Sequence, residues 1–468
     1  MVELAKADSI NKELFASLPV PRAVGMMVLP AIANQIIHVV YNIADTWFVG
    51  LTGDPDAVAA VSLCMILFNI LTAIANLFGI GAASVISRSL GRGDHGRARS
   101  AFRLSIWASA AAALIYAIIL IFFGRAFFTL IGGEGGYINY AVRYNFVTTV
   151  LGGVPTVLAA VLAHVIRSTG NSGKASAGLT LGALLNIAFD PLFMFVLLPP
   201  GNEVVGAALA TAVSNIISLA YFLFVVNTRG KSESVMSVRP EFGPLTAPLL
   251  KDILKCGLPS FTMMAFTMLS HSLLNATIAG FGGGAALAGL GIVRKIDSLA
   301  FSVNQGVTQG MLPLVGYCYS SGLHQRMKRI IAFSAFCTVA FSIMSSTVSY
   351  TCSKELLAFF INDTDTIFYG SSFLRVVCLA IPCYSVTFVV IAVFQAVGRS
   401  LVPFVLSALH RGTVDNVLLF IIRARFDHRY VIWTSPIAEA FALLVSLVML
   451  FRLLRGLKLK GAPAQKEA

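Results

Sequence analysis

Residues 104–123 read LSIWASAAAALIYAIILIFF, twenty positions without a charged side chain. A helix of about 20 apolar residues crosses the roughly 30 Å hydrocarbon core of a bilayer. The stretch is too long and too uniformly apolar for a strand of a membrane β-barrel, in which polar and apolar side chains alternate. It therefore predicts a transmembrane helix.

Similar segments recur along the whole chain. Of its 468 residues 57% are hydrophobic and only 12% are charged, against about 25% charged in soluble domains. The predicted spans lie near 24–49, 57–83, 104–123, 141–166, 175–198, 205–227, 257–281, 286–316, 330–351, 372–397, 401–422 and 430–451. The sequence thus predicts an all-α polytopic membrane protein with twelve transmembrane helices.

The two halves of the chain repeat each other at a shift of 229 residues. The matched pairs are Pro30 and Pro259, Gly81 and Gly310, Gly93 and Gly322, His95 and His324, and Arg97 and Arg326. Because each half has six spans, both halves insert with the same orientation, related by an axis along the membrane normal. We predict two six-helix lobes around a central cavity: residues 1–230, a cytoplasmic linker at 231–250, and residues 251–468, which end in a basic cytoplasmic tail.

Arginine and lysine cluster in alternate connections, which predicts that those connections face the cytoplasm. The clusters are Arg88, Arg92, Arg97, Arg99 and Arg103 after span two, Arg229, Lys231, Arg239, Lys251 and Lys255 after span six, and Arg326, Lys328 and Arg329 after span eight. Both termini are then cytoplasmic, although Arg423, Arg425 and Arg429 fall on the predicted outer side. The formal charge of +13 is explained by topology, so we predict a multi-pass protein of the cell membrane and no nucleic-acid partner.

Polar residues inside span one form a stripe. Asn34, His38, Asn42 and Asp45 recur at spacings of four, four and three, which places them on one face of a helix. A charged residue at the bilayer centre costs about 2.5–3.5 kcal/mol on insertion scales and marks a functional position. Asp45 is therefore a candidate site residue.

A second polar pair lies in span five, where Asn186 and Asp190 are one helical turn apart and Pro191 follows. Proline removes a hydrogen bond from the carbonyl near position 187. Two carboxylates, carboxamides and a free carbonyl suit a transferable proton or a hard cation such as Na⁺. The repeat places Leu274 and Leu418 at the equivalent positions, so ion coupling is predicted in the N-terminal half.

These motifs carry a family resemblance over nearly the whole chain. LPAIANQIIHVVYNIADTWFVG (29–50), GRGDHGRAR after span two, NIAFDPLFMF in span five and the two six-span halves resemble the multidrug and toxic compound extrusion (MATE) transporters, in the bacterial and archaeal branch with an aspartate on helix one. The resemblance implies export of amphipathic, often cationic, compounds in exchange for H⁺ or Na⁺ by alternating access. It implies no cofactor and no enzymatic activity, and it assigns cation coupling to Asp45, Asn186 and Asp190. Span seven lacks the acidic residue of other branches, and GYCYSSG (316–322) replaces a more usual GYNxG-like run.

Further polar residues are candidates for the cavity wall. They are Asn34, His38, Asn42, His271, Arg294, Lys295, Asp297 and Gln305. Some of the candidates have a structural alternative, such as an ion pair between Arg294 and Asp297 or a hydrogen-bonded bundle histidine at His271. Asp45 could instead anchor a helix end near the outer interface, and Asp190 could be buried, neutral and hydrogen-bonded to Asn186. Asp415 is expected to pair with Arg411, one turn earlier, and Glu439 to lie at the membrane interface near Trp433.

The sequence leaves one alternative function open and argues against another. A flippase for a lipid-linked oligosaccharide or related precursor shares the two-lobed build, and Arg294 and Lys295 would then face its pyrophosphate. A membrane enzyme is disfavoured because no nucleophile with a base, and no metal-spaced cluster, can be assembled, and GFGGGAALAG (280–289) lacks the ending of a phosphate-binding loop. The expected partners are small molecules and the lipid bilayer, with a monomer as the working hypothesis. An adaptable wall is expected from Phe261, Met263, Met264, Phe266 and Met268.

Overall fold

The computed structural model describes residues 13–130, 137–199, 201–230, 235–239, 246–425 and 428–460. All regular secondary structure in these residues is helical. Ten helices are long and apolar enough to cross a membrane, and the segments Tyr137–Leu151 and Gly153–Ser168, bent by 47°, form an eleventh span. Thr246–Ser320 breaks at Gly283, whose φ of 60° and ψ of −153° are not helical, so this segment supplies two spans. The prediction of twelve helices is confirmed.

We number the spans α1–α12. The first six are α1 (Val20–Gly50), α2 (Pro55–Gly91), α3 (His95–Leu130), α4 (Tyr137–Asn145 and Gly153–Ser168, joined by the π-helical turn Phe146–Leu151), α5 (Ser172–Pro191, extended by the π-helical turn Leu192–Leu197) and α6 (Glu203–Gly230). The arms of Thr246–Ser320 before and after Gly283 are α7 and α8. The remaining spans are α9 (His324–Thr351), α10 (Thr364–Val377 and Ile381–Val397, joined by Cys378–Ala380), α11 (Leu401–Arg411 and Thr413–Arg425) and α12 (Thr434–Lys460).

Turns between helices follow the sequence repeat. Gly93 and Gly322, which lie within the α2–α3 and α8–α9 connections, have φ of 75° and 78°. Gly170 and Gly398 form a second pair, with φ of 90° and 81°. A side chain is strained at such positive φ values, so the repeated glycines fix the same turn geometry in both halves.

Each lobe buries small and aliphatic side chains between its helices and presents apolar ones outward. Phe102, Leu162 and Phe222 form part of the N-terminal core, and their side chains are fully buried. On the outer face of α3, by contrast, Phe122 is 75% exposed. An exposed apolar face of this kind is expected where lipid rather than water surrounds the helix bundle.

The linker region packs against the N-terminal lobe. Trp107 Nε1 donates to the Val238 carbonyl at 3.0 Å, and Met236 is buried. α7 begins at Thr246, inside the segment predicted as linker, whose residues 231–234 and 240–245 lie outside the described part of the chain.

The lobes contact each other where α1 packs against α8 and α2 packs against α7. Two repeated glycines lie at these crossings. A Cβ atom added at Gly310 would lie 2.6 Å from the Met27 carbonyl oxygen, and one added at Gly81 would collide with the Ile253 carbonyl. Only glycine lets the backbones approach this closely. We call this end of the bundle, which holds the α2–α3 and α8–α9 connections, the basic end.

Candidate substrate cavity and ion site

A cavity of about 770 Å³ lies between the lobes. Helices from both lobes line it, from Arg167 and Gln309 at its floor, toward the basic end, to Thr46 near the far end of α1. Cavities of about 300–1,000 Å³ accept drug-sized molecules. The volume therefore suits a small organic substrate.

Cross-lobe contacts close the cavity at the basic end. Arg167 Nη1 donates to Gln309 Oε1 at 3.0 Å, and Ser84 Oγ donates to the Gln395 carbonyl. Further toward this end, Arg97 Nη2 lies 2.6 Å from Asp252 Oδ2. Together with the glycine crossings, these bonds hold the two lobes together below the cavity floor.

The predicted polar stripe of α1 divides between the cavity and the protein interior. Asn34, His38 and Asn42 line the cavity. The Asn42 side-chain amide donates to His38 Nδ1 at 2.9 Å and to the His38 carbonyl at 2.7 Å. Asp45 is only 7% exposed and is not among the described lining residues.

Asp190 lies in a polar cluster between α5 and α6. It is fully buried, and the Asn186 side-chain amide lies 3.2 Å from its Oδ2 and 3.1 Å from Thr211 Oγ1. Both contacts are satisfied when the Asn186 nitrogen donates to the carboxylate and its oxygen accepts from Thr211, an orientation assigned from the hydrogen-bond network. The structure thus contains the hydrogen bond between Asn186 and Asp190 that the structural alternative for Asp190 predicts, and Thr211 is a member that the sequence did not indicate.

Asp45 and Asp190 lie on neighbouring helices, since α1 packs against α5. Asp45 Oδ1 and Asp190 Oδ1 are both buried and have no hydrogen-bond partner in the described structure. A buried polar atom without a partner costs about 1–3 kcal/mol, and more if it is charged. Each carboxyl therefore has an oxygen that can take up a proton or a cation, and within the described residues no cluster of three His, Cys, Asp or Glu forms a transition-metal site.

Of the predicted cavity residues in the C-terminal lobe, most line the cavity and one does not. His271, Arg294, Lys295 and Gln305 line the cavity. Arg294 Nη1 donates to Asn275 Oδ1 at 2.7 Å, and its Nη2 donates to the His271 carbonyl at 3.3 Å. Among the described residues, Asp297 does not belong to the cavity wall. Its carboxylate accepts a hydrogen bond of 3.0 Å from the Tyr384 hydroxyl. Of the predicted soft wall, Met263, Met264 and Met268 line the cavity.

Two features were not predicted from the sequence. Arg167 is 1% exposed and lines the cavity floor, whereas span four was predicted to end at residue 166. Glu439, expected at the membrane interface, is instead buried and bonded to His410 Nδ1. Asp415 accepts from Ser270, and the side chain of its expected partner Arg411 lies outside the described part of the structure.

Both halves of this chain are similar to a known protein family. The MatE family model matches the chain twice, over residues 30–192 and 259–418, one match in each half of the repeat. The multidrug export protein MepA of Staphylococcus aureus (strain MSSA476) is 26% identical over 440 residues, 94% of this chain and 95% of that protein. MepA of Staphylococcus saprophyticus is 27% identical over 427 residues, 91% of this chain and 92% of that one.

Solved structures share the fold. The structure described as the outward-facing conformation of a multidrug resistance MATE family transporter of the MOP superfamily has a TM-score of 0.88 at 22% identity, covering 95% of this chain and 98% of that one. A MOP superfamily transporter from Pyrococcus furiosus Vc1, whose description reports a binding pocket of reverse polarity, has a TM-score of 0.85 at 20% identity, covering 96% and 98%. With a family model that matches most of its length in two copies, this chain belongs to the MATE family and is a membrane transporter rather than an enzyme.

Proposed function

We propose that this transporter is a secondary active antiporter that exports amphipathic compounds in exchange for H⁺ or Na⁺ by alternating access. The observation that carries the proposal is the pair of buried carboxyls, Asp45 and Asp190, each with an unpartnered oxygen. Both lie in the N-terminal lobe beside the cavity. An ion that binds one conformation better than the other shifts the equilibrium by its differential affinity, and these carboxyls are the groups that would supply that difference.

Asp45, Asn186 and Asp190 are the proposed coupling residues. Asp190 and Thr211 flank the Asn186 amide, so the amide orients one carboxyl while leaving its other oxygen available. These oxygen-rich side chains are the ligand type that Na⁺ and protons both use. The proposal requires a coupling ion, H⁺ or Na⁺, and no other cofactor.

Gradient-driven efflux from vesicles tests this proposal. Purified protein is reconstituted with a fluorescent amphiphile inside, and a pH gradient or a Na⁺ gradient is applied separately. Efflux driven by one gradient and abolished by the matching ionophore is expected. Efflux that depends on neither gradient would contradict secondary active transport.

We also propose that the basic end faces the cytoplasm of the cell, so that the cavity is open to the outside. The clustered arginines of that end support this orientation. In a variant whose seven cysteines are replaced, a cysteine at the exposed position Thr364 should react with an impermeant reagent from outside intact cells. A cysteine at the exposed position Arg92 should react only after permeabilisation, and the opposite pattern would invert the topology.

A flippase for a lipid-linked precursor is the second candidate. Arg167, Arg294 and Lys295 on the cavity wall favour it, because a pyrophosphate needs cationic partners. It predicts movement of a phospholipid-like probe between leaflets without release of a water-soluble amphiphile. Vesicles that hold both kinds of probe distinguish the two functions.

A further inference from the structure

The cavity wall has an uneven charge. Arg167, Arg294 and Lys295 line it, together with three histidines, and the described lining residues include no aspartate or glutamate. Asp45, Asp190 and Asp297 lie outside that set. Between membrane helices the dielectric constant is low, so charges on a cavity wall act more strongly on a ligand than they would in water.

Arg167 is a fixed positive charge at the cavity floor. Its side chain is buried, with one bond from Nη1 to Gln309 Oε1 at 3.0 Å. Nε and Nη2 have no hydrogen-bond partner in the described structure. A buried guanidinium is costly unless an opposite charge or hydrogen-bond acceptors compensate it, so its positive potential favours a negative group in the cavity.

Lys295 is the accessible cation on the opposite lobe. Its side chain is exposed and lines the cavity, whereas the neighbouring Arg294 is held by Asn275 and the His271 carbonyl. Lys295 precedes Gln309, the partner of Arg167, by 14 residues on α8, about 21 Å at 1.5 Å per residue. The cavity wall also includes the apolar side chains of Met263, Phe301 and Phe388.

We infer that the cavity binds amphiphiles whose polar group is anionic, such as a carboxylate, a sulfonate or a phosphate. Lys295 contacts that group, Arg167 adds positive potential from the floor, and the methionine and aromatic side chains bind the apolar part. This substrate class rests on the proposed export function. It differs in charge from the cationic compounds that the family resemblance suggests.

A matched pair of fluorescent probes tests the charge preference. Pyrenebutanoate and a pyrenebutyl trimethylammonium salt share their apolar part and differ in the sign of their charge. Fluorescence titration of the purified protein should show the carboxylate binding about tenfold more tightly, the effect of one ion pair worth about 1.4 kcal/mol. Tighter binding of the ammonium probe by the wild-type protein would overturn the inference.

Variants of Lys295 test whether this residue causes the preference for the carboxylate probe. Lys295→Gln should weaken carboxylate binding about tenfold, because it removes the same ion pair of about 1.4 kcal/mol, and Lys295→Glu should reverse the preference. Lys251→Gln changes an exposed lysine at the basic end that does not line the cavity, and it should leave both affinities unchanged. Equal binding of the two probes by the wild type and by both Lys295 variants would refute the assignment.

The source of the anionic group is tested in vesicles. Gradient-driven release of pyrenebutanoate indicates a soluble substrate, whereas transfer of a fluorescent short-chain phosphatidic acid between leaflets indicates a lipid substrate. Carboxylate-selective binding without any gradient dependence would contradict the antiport proposal and leave this inference standing. Gradient-driven efflux of the ammonium probe alone would support the antiport proposal and contradict the preference for an anionic group.

Discussion

The two lobes share a backbone plan but differ in how they satisfy their carboxyl groups. In the N-terminal lobe, Asp190 accepts from Asn186 through one oxygen, whereas Asp45 has no hydrogen bond or ion pair in the described structure. In the C-terminal lobe, every carboxyl inside the described bundle has a hydrogen-bond partner, although Oδ1 of Asp415 and Oε1 of Glu439 are buried without one. These pairs are Asp297 with Tyr384, Asp415 with Ser270, and Glu439 with His410.

The difference separates two uses of buried charge. A carboxyl bonded to a histidine or a hydroxyl mainly holds helices together, because removing either group leaves the other buried without a partner. A carboxyl without any partner, such as Asp45, has both oxygens available to an ion. We therefore propose that ions bind at Asp45, with Asp190 on the neighbouring α5, and that the carboxyls of the C-terminal lobe mainly hold helices together.

The largest expected effect concerns Asp45. Asp45→Asn should reduce gradient-driven efflux by about 5- to 150-fold, the usual range of a coupling free energy of 1–3 kcal/mol, because a carboxamide cannot exchange a proton or neutralise Na⁺. Binding of pyrenebutanoate should change little, since Asp45 does not line the cavity. Efflux from vesicles and fluorescence titration measure the two quantities.

Asp415→Asn is the matched control in the other lobe. Its carboxyl is buried and bonded to Ser270, and the amide oxygen can still accept that hydrogen bond. Gradient-driven efflux should persist in this variant. Equal loss of coupling in both variants would remove the distinction between the lobes.

The second effect is on stability. Glu439→Ala leaves His410 buried without its acceptor, so the free energy of unfolding should fall by about 1–3 kcal/mol. Asp45→Asn, which removes no partner, should not lower it. Denaturation of the purified protein in detergent measures both, and the double variant Glu439→Ala with His410→Phe should recover part of the loss.

The third effect concerns the contact between the lobes. Gly310→Ala places a methyl group against the Met27 carbonyl, which should destabilise this contact by about 1–3 kcal/mol and favour opening at the basic end. Spin labels at the exposed positions Arg92 and Gln325 should show a longer distance. Gly291→Ala, where an added Cβ meets nothing within 4 Å, should leave the distance unchanged.

Sequence reasoning was most successful where periodicity and repetition carry the information. The length of each apolar segment gave the twelve spans, and the shift of 229 residues paired the turn glycines Gly93 and Gly322, whose φ values agree. The spacing of Asn186 and Asp190 placed both on one face of a helix, where they are indeed in contact. These features depend on residues close together in the chain or related by the repeat.

Features that depend on distant partners were missed. Glu439 pairs with His410, 29 residues earlier, so its position near Trp433 wrongly suggested an interfacial residue. Arg167 bonds to Gln309, 142 residues later, and hydropathy placed it just beyond the end of a span. The polar face of α1 borders both the cavity and α5, so its spacing could not show that Asp45 turns away from the cavity while His38 and Asn42 line it.

The smallest expected effect contrasts these buried carboxyls with an exposed one. Asp363 precedes α10 and accepts from the backbone N and the Oγ1 of Thr366, at 2.9 and 2.6 Å. Because these hydrogen bonds favour the charged form, they lower the pKa of Asp363 below its ordinary value of 3.8. The contribution of this cap to stability is therefore complete above that ordinary value and is lost as the pH falls through the lowered pKa.

Asp363→Asn should remove the pH dependence and keep the cap, because asparagine and aspartate are about equally good at the N-terminus of a helix. Asp363→Ala should weaken the first turn of α10 at neutral pH, with less difference from the wild type in acid. Protection of the Thr366 amide against hydrogen exchange, measured at pH values on both sides of the titration, checks both expectations. The same loss of protection in acid for the Asn variant and the wild type would show that the Asp363 charge does not hold this turn. At each pH, efflux by both variants should equal that of the wild type, because this carboxyl lies outside the spans and away from the described cavity wall.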